Sequence, residues 1–353
     1  DPDYDFSYWG PWHNGAGFVY WGGEEIDTLP GLSLIGNTFN ATSKFRGYGD
    51  VNGDGYNDIV SSVAWRDDIG PVNIYLGGES PDSIPDFQID PLINGYPVIA
   101  DPIKIIGDYN GDGYDDIVFS NLESGPELGQ AYMFFGSENG YGDPDLIFGD
   151  EGTGSFGQLI SECGDLDNDG FDDFMIADWH RLYIYFGSEN PDNISDLVLS
   201  YEDTLLNIDY ISGGFDIDND GIEDISVSNI WWAENHVGNG RISIYFGGES
   251  MDLNSDMEII GQSERQLLGT ETAFPGDING DGYPEFIASS QYLEDPGRAC
   301  VTIYTTGMNS APENGQTPSD YDIKIKAYPN PFNSSVTLTL NNPRGGDIEI
   351  VIY

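Results

Sequence analysis

Short apolar runs of four to eight residues, rich in aromatic and β-branched side chains, succeed one another along the chain between clusters of Gly, Pro, Asn and Asp. This pattern predicts strands joined by tight turns. No stretch carries the 3.6-residue period of an amphipathic helix. The runs also repeat in a fixed order. A decapeptide such as "GDVNGDGYND" is followed by a short apolar run ("IVSSV", "IVFSN", "FMIAD", "ISVSN", "FIASS"). Next comes an aromatic run ending in Gly ("VYWGG", "IYLGG", "MFFGS", "IYFGS", "IYFGG", and more loosely "VTIYTTG"). An alternating segment led by Asp86, Asp145, Asp196 or Asp256 follows, and a last strand leads into the next decapeptide.

The decapeptide recurs as "GDYNGDGYDD", "GDLDNDGFDD", "FDIDNDGIED" and "GDINGDGYPE", with first aspartates Asp50, Asp108, Asp165, Asp216 and Asp277 at spacings of 58, 57, 51 and 61. Four short strands in each unit of this length match a propeller blade rather than the short coils of a β-helix or a leucine-rich solenoid. The expected fold is therefore all-β, a β-propeller of four-stranded blades, with the aromatics packed mainly between blades. Six repeats are visible, the first and last incomplete, in a ring of six or seven blades. A truncated sixth loop is expected at "DPDYDF", where Asp1 and Asp5 take its fifth and ninth positions. No Asp-led fourth strand follows Gly307, so the last blade is expected to borrow one from residues upstream of Asp1. The chain starts without Met and ends within the strand-like "DIEIVIY", and it reads as a piece of a longer protein.

The loops concentrate carboxylates at alternating positions, and oxygen ligands so placed suit a hard cation such as calcium. The candidates are Asp50, Asn52, Asp54, the Tyr56 carbonyl and Asp58; Asp108, Asn110, Asp112, the Tyr114 carbonyl and Asp116; Asp165, Asp167, Asp169, the Phe171 carbonyl and Asp173; Asp216, Asp218, Asp220, the Ile222 carbonyl and Asp224; and Asp277, Asn279, Asp281, the Tyr283 carbonyl and Glu285. Without metal each loop holds three or four like charges together, and bound dications would remove that repulsion. The sixth residue, Gly in every copy, permits the sharp turn. An EF-hand would need a glutamate at position 12 between two helices. Here that position is Ser61, Phe119, Ile176, Val227 or Ala288, each in an apolar strand, so the EF-hand reading fails in all five copies.

Composition narrows the function. With 62 acidic against 11 basic residues the net charge is −51, which repels nucleic-acid backbones and anionic lipid surfaces. No run approaches the ~18 apolar residues of a membrane span. Cys163 and Cys300 lie 137 residues apart in unlike contexts and predict two separate buried thiols, neither a disulfide framework nor a zinc site. His13, His180 and His236 form no zinc motif, and there is neither a nucleophile elbow nor a phosphate-binding loop.

On "SFGQLISECGDLDNDGFDDFMIA", with its Phe156-Gly157 pair, and on "GDVNGDGYNDIV" and "GDYNGDGYDDIV", the segment 1–308 resembles the FG-GAP repeat of integrin α-subunit propellers. The pair is eroded elsewhere, as in "KFRGYGD". The resemblance implies that each loop joins the first two strands of a blade and holds Ca²⁺ on one face of the ring, while partners bind the opposite face. After a polar linker, 309–320, the segment 321–353 resembles the start of a type A sorting domain of the bacterial type IX secretion system, on "YPNPFN" from Tyr328 to Asn333 and the alternating strand behind it. That likeness implies a β-sandwich-like segment recognised by the secretion machinery, with export through the periplasm to the outer-membrane surface or the medium.

The expectation is thus a secreted or surface-displayed, calcium-binding, non-catalytic adhesion module. It would be a monomeric propeller with an unknown protein or glycan partner. The competing class is the propeller portion of an extracellular enzyme, for example a polysaccharide-degrading one. "YWGPWHNG" and "IWWAENH" follow second strands, and Trp12, Trp231 and Trp232 are the candidates for a ligand face.

Overall fold

The computed structural model describes residues 16–19, 29–35, 44–62, 64–65, 68–90, 92–93, 95–122, 129–149, 155–200, 207–232, 238–249, 251–277, 282–291, 299–305, 322–323, 326–328 and 337–339. Among them every element is a strand. The chain divides into two compact units, Asp1–Ile160 with Glu189–Ile194, and Ser161–Ser188 with Ser195–Tyr353.

The first unit holds two four-stranded antiparallel sheets, the blades of a β-propeller. Blade 1 is Lys44–Gly49, Asp58–Ser62, Val72–Tyr75 and Phe87–Ile89. Blade 2 is Ala100–Ile105, Ile117–Asn121, Gln130–Phe134 and Leu146–Gly149. Each strand pairs with the next in sequence, so every acidic loop joins a first strand to a second one. Ala16–Val19 and Leu32–Ile35 form a separate antiparallel pair, the third and fourth strands that the incomplete first repeat predicts. The core joins Val60 and Ile74 of blade 1 to Ile103, Phe119 and Phe134 of blade 2, with Phe119 and Phe134 stacked at 5.3 Å between centroids.

In the second unit, Leu159–Gly164 (whose first two residues belong to the other unit), Asp173–Ala177, Arg181–Tyr185 and Leu197–Ser200 make blade 3. Blade 4 is Tyr210–Phe215, Asp224–Asn229, Arg241–Tyr245 and Met257–Ile260. Second strands such as Asp224–Asn229 are buried at every position, so their apolar runs are nearly continuous rather than alternating. Fourth strands such as Leu197–Ser200 alternate half-buried with exposed residues.

Blade 5 contains Leu268–Gly276, Glu285–Gln291 and Ala299–Thr305, and its fourth strand is Asp322–Ile323. Ile323 pairs with Ile303 and Asp322 with Tyr304. This corrects the expectation of a strand borrowed from upstream of Asp1: the chain returns after the linker and occupies that edge itself. Lys326–Tyr328 and Thr337–Thr339 form a further antiparallel pair flanking the "PNPFN" segment, which lies outside the described residues.

The Phe-Gly pair has a packing reason. Phe156 is fully buried, and Gly157 at φ 90° sits so close to Ser120 that an added Cβ would lie 2.6 Å from the serine Cβ. Ser120 Oγ donates to the Gly157 carbonyl at 2.7 Å. In blade 5 the same place is taken by Leu268-Gly269 against Ser228, with Gly269 at φ 93°. The pair persists there with Leu in place of Phe, because burial constrains the first residue and backbone geometry the second.

Candidate metal centres

Each loop is built by its own side chains. In loop 1, Asp50 Oδ1 accepts the Asp54 N–H at 2.9 Å and its Oδ2 the Gly55 N–H at 2.7 Å. Asn52 Oδ1 accepts the Asp54 N–H at 3.2 Å, and Asp54 Oδ1 accepts the Tyr56 N–H at 2.9 Å. The same bonds recur from Asp108, Asn110 and Asp112 to Tyr114, from Asp165, Asp167 and Asp169 to Phe171, and from Asp216, Asp218 and Asp220 to Ile222. In loop 5, Asp277 Oδ2 accepts the Gly282 N–H at 2.8 Å. Asn279 and Asp281 lie outside the described residues, as do the truncated loop at Asp1 and Asp5, and Trp12, His13 and His236.

Two positions require left-handed backbone. The sixth holds Gly55, Gly113, Gly170, Gly221 and Gly282 at φ 88–97°. The fourth holds Gly53 and Gly111, or Asn168 and Asn219 at φ 62° and 64°. Asn is the side-chain-bearing residue that best tolerates this region, which explains the change from "NGDG" to "DNDG".

The ninth residue behaves differently from the rest. Asp58, Asp116, Asp173 and Asp224 are buried, and in each one oxygen accepts the N–H of loop position 2 while the other accepts the N–H of the Gly two residues past the third strand. Burial pushes the Asp116 and Asp173 carboxyls up to about 8, Asp224 to about 7 and Asp58 to about 6, against the pull of those N–H donors. Burial and the neighbouring loop aspartates also raise Asp167 and Asp218. Glu285 is likewise buried at the ninth position of loop 5.

Several site residues escaped the sequence reading. Position 2 (Val51, Tyr109, Leu166, Ile217) is fully buried and anchors each loop in the core. The aspartates that open fourth strands clamp the hairpin behind the loop. Asp86, Asp145, Asp196 and Asp256 each accept the N–H of the residue ten positions earlier at 2.8–2.9 Å, and Asp196 and Asp256 lie near enough to raise Asp167 and Asp218. Their fixed spacing from the loops was the available signal.

The donors are all oxygens, the set a hard cation takes. Carboxylate oxygens of Asp165, Asp167 and Asp169 lie within 4.8 Å of one another, as do those of Asp216, Asp218 and Asp224. Ligands on opposite sides of an ion at about 2.3–2.6 Å are separated by about 5 Å, so both groups fit a calcium-sized ion. They occur in the two all-carboxylate loops. In loops 1 and 2 the Asn Nδ2 instead donates to Asp54 or Asp112 Oδ2, at 3.0 Å in each case.

At the other end of the sheets, the turn after the second strand presents Trp179 in blade 3 and Trp231 in blade 4, 46% and 48% exposed. Trp179 was not among the sequence candidates. Trp232 is half-buried with Arg241 5.4 Å above its ring, and Arg241 also bonds Asn229 Oδ1 at 3.1 Å and pairs with Glu258 at 3.3 Å, so that tryptophan is tied into its blade. Cys163 is buried and free; the Cys300 side chain lies outside the described residues.

Together these features define an all-β propeller with an acidic, oxygen-lined loop between the first two strands of its blades. No family model matches the chain. It is 30% identical to integrin alpha-PS5 of Drosophila melanogaster over 146 residues, 36% of this chain and 14% of that protein. It is 29% identical to mouse integrin alpha-8 over 141 residues, 36% of this chain and 13% of that protein. With chicken integrin alpha-6 it shares 25% over 268 residues, 72% of this chain and 23% of that protein. The chain thus spans less than a quarter of the length of these relatives, and over that part it is similar to integrin α-subunits.

Proposed function

We propose that the protein is a non-catalytic binding module, a β-propeller stabilised by Ca²⁺ in five or more acidic loops, displayed outside the cell to engage a protein or glycan partner. The observation that carries this reading is the repetition itself: four described loops hold the same hydrogen-bond pattern around all-oxygen donors, as repeated structural ion sites would and a single catalytic centre would not. Asp50, Asp54 and Asp58, with the Asn52 side chain and the Tyr56 carbonyl, would hold the ion in loop 1, and their counterparts would do so in the other loops. Bound ions would neutralise the carboxylates and hold adjacent strands together. The likeness to integrin α-subunits supports an adhesion-type role. By the resemblance of 321–353 to a type IX sorting domain, the route outward would be through the periplasm of a bacterium to the outer-membrane surface or the medium.

The partner would meet the blade ends that carry Trp179 and Trp231, away from the acidic loops. Surface aromatics left in water at this exposure are available anchors for an apolar or sugar surface. A glycan and protein array probed with the intact chain and with Trp179→Ala and Trp231→Ala tests the reading. Capture that the substitutions abolish supports it, and capture that neither alters contradicts the assignment of this face.

A further inference from the structure

The acidic loops of neighbouring blades touch. In the first unit the Asp50 N–H donates to Asp115 Oδ2 at 2.7 Å, and the Asp115 N–H donates back to the Asp50 carbonyl at 3.0 Å. The backbone N–H of Ser137, three residues past blade 2's third strand, donates to the Val51 carbonyl at 2.9 Å. Asp115 is the eighth residue of loop 2, between the carbonyl-bearing Tyr114 and the buried Asp116; Asp50 is the first residue of loop 1. Gly49 makes the approach possible, since a Cβ there would run into Asp115 Oδ2 and lie 2.6 Å from Ile105 Cγ2.

The second unit brings the corresponding residues together by packing, without the reciprocal pair of bonds. Glu223, eighth in loop 4, packs against Gly164 just ahead of loop 3, where an added Cβ would stand 2.7 Å from Glu223 Cγ. Gly248 donates to the Leu166 carbonyl at 2.7 Å, the counterpart of the Ser137 bond. Loop 5 has Pro284 at its eighth position and lacks an acidic side chain there.

We infer that the eighth-position acids couple the cation sites of adjacent loops, Asp115 linking loop 2 to loop 1 and Glu223 linking loop 4 to loop 3. The inference rests on the reading that the loops hold cations. An ion in loop 1 fixes Asp50, and the reciprocal pair of bonds then fixes the Asp115 backbone between two ligand positions of loop 2. Ordering one loop therefore removes part of the ordering cost of the other, and each ion raises the affinity of its neighbour. Asp115 acts here as a positioning residue that contacts a ligand residue of one site while belonging to the loop of the next.

Terbium tests this, because a tyrosine at the seventh loop position sensitises its luminescence. Loops 3 and 4 carry Phe171 and Ile222 there, so Tyr56→Phe with Tyr283→Phe leaves Tyr114 as the reporter, on loop 2 and on loop 1, whose Gly53 its ring lies against; stripping loop 1 leaves it to report on loop 2 alone. In that background Asp54→Ala strips loop 1 without touching loop 2. Terbium affinity at loop 2 is expected to fall at least fivefold, the lower end of ordinary coupling. With Asp115→Ala the same Asp54→Ala step is expected to change it less than twofold, while Asp115→Asn, which keeps an oxygen for the Asp50 N–H, restores the coupling. Gly49→Ala should uncouple the loops from the other side. Coupling that is absent at the outset, or that survives both Asp115→Ala and Gly49→Ala, overturns the inference while leaving the metal reading intact. A chain that binds no terbium at all overturns both.

Discussion

Gly136 donates its N–H to Asp116 Oδ1 across 2.8 Å, joining the last residue of an acidic loop to the turn just past the third strand of its blade. A Cβ at Gly136 would crowd the Tyr114 side chain, lie 2.6 Å from the Asp115 carbonyl and 2.9 Å from the Val51 carbonyl. Strand end, own loop and neighbouring loop meet at one residue without a side chain.

Gly136→Ala should therefore be far more damaging than Gly55→Ala. At Gly55 an added Cβ meets nothing within 4 Å, and the cost is only the left-handed backbone at φ 88°, roughly 1–2 kcal/mol. At Gly136 backbone must move in two loops. Chemical denaturation of both variants in calcium checks the order.

Positions 5 and 9 should separate folding from binding. At pH above about 8, where its carboxyl is ionised, Asp116→Asn leaves an amide NH₂ facing one of the two N–H donors and should cost about 1–3 kcal/mol in chelator, while also removing a candidate ligand. Asp112→Asn, in an exposed loop position, should leave metal-free stability nearly unchanged and reduce only the increment that calcium adds. Melting curves in chelator and in calcium distinguish the two patterns.

The ninth-position carboxyls set a pH dependence. Their folded values, from about 6 for Asp58 to about 8 for Asp116 and Asp173, stand above the ordinary 3.8, so the folded state holds protons that the unfolded state releases. Metal-free stability is then greatest near pH 4 and falls as pH rises toward 8, by at most about 1.4 kcal/mol per pH unit for each group within its window. Calcium replaces those protons and should flatten the decline. Melting temperatures across pH 4–8 in chelator and in calcium would show it; a metal-free protein that gains stability across that range contradicts the buried-acid account.

Tyr141→Phe should be neutral or mildly stabilising. The Tyr141 hydroxyl is buried without a hydrogen-bond partner, while its ring packs edge-on to Phe87 and Phe134 at 6.1 and 6.4 Å between centroids. Replacing an unsatisfied polar group with an apolar one of the same shape removes a desolvation cost. Equilibrium unfolding measures the difference.

Much of this was legible in the sequence because it is local. The loop oxygens and the Gly at position 6 depend on bonds spanning ten residues or fewer, and each blade strand pairs with the next in sequence. What the sequence concealed lies across blades or across long separations. Asp115 reads as one more loop acid until blade 1 brings Asp50 against it, 65 residues away. Trp231 and Trp232 are indistinguishable as neighbours in a turn, yet Arg241 holds one and not the other. The fourth strand of blade 5 is two residues long and follows a polar linker, too short for any pattern to announce.

The most direct test of the account is a melting curve of the intact chain at pH 8, first in excess chelator and then after calcium is returned. A site filled at a hundred times its dissociation constant adds about 2.7 kcal/mol to folding stability, and several such sites act together. The melting temperature is expected to be lower by many degrees in chelator and to be restored by calcium. A melting temperature that chelator and calcium both leave unmoved would contradict it.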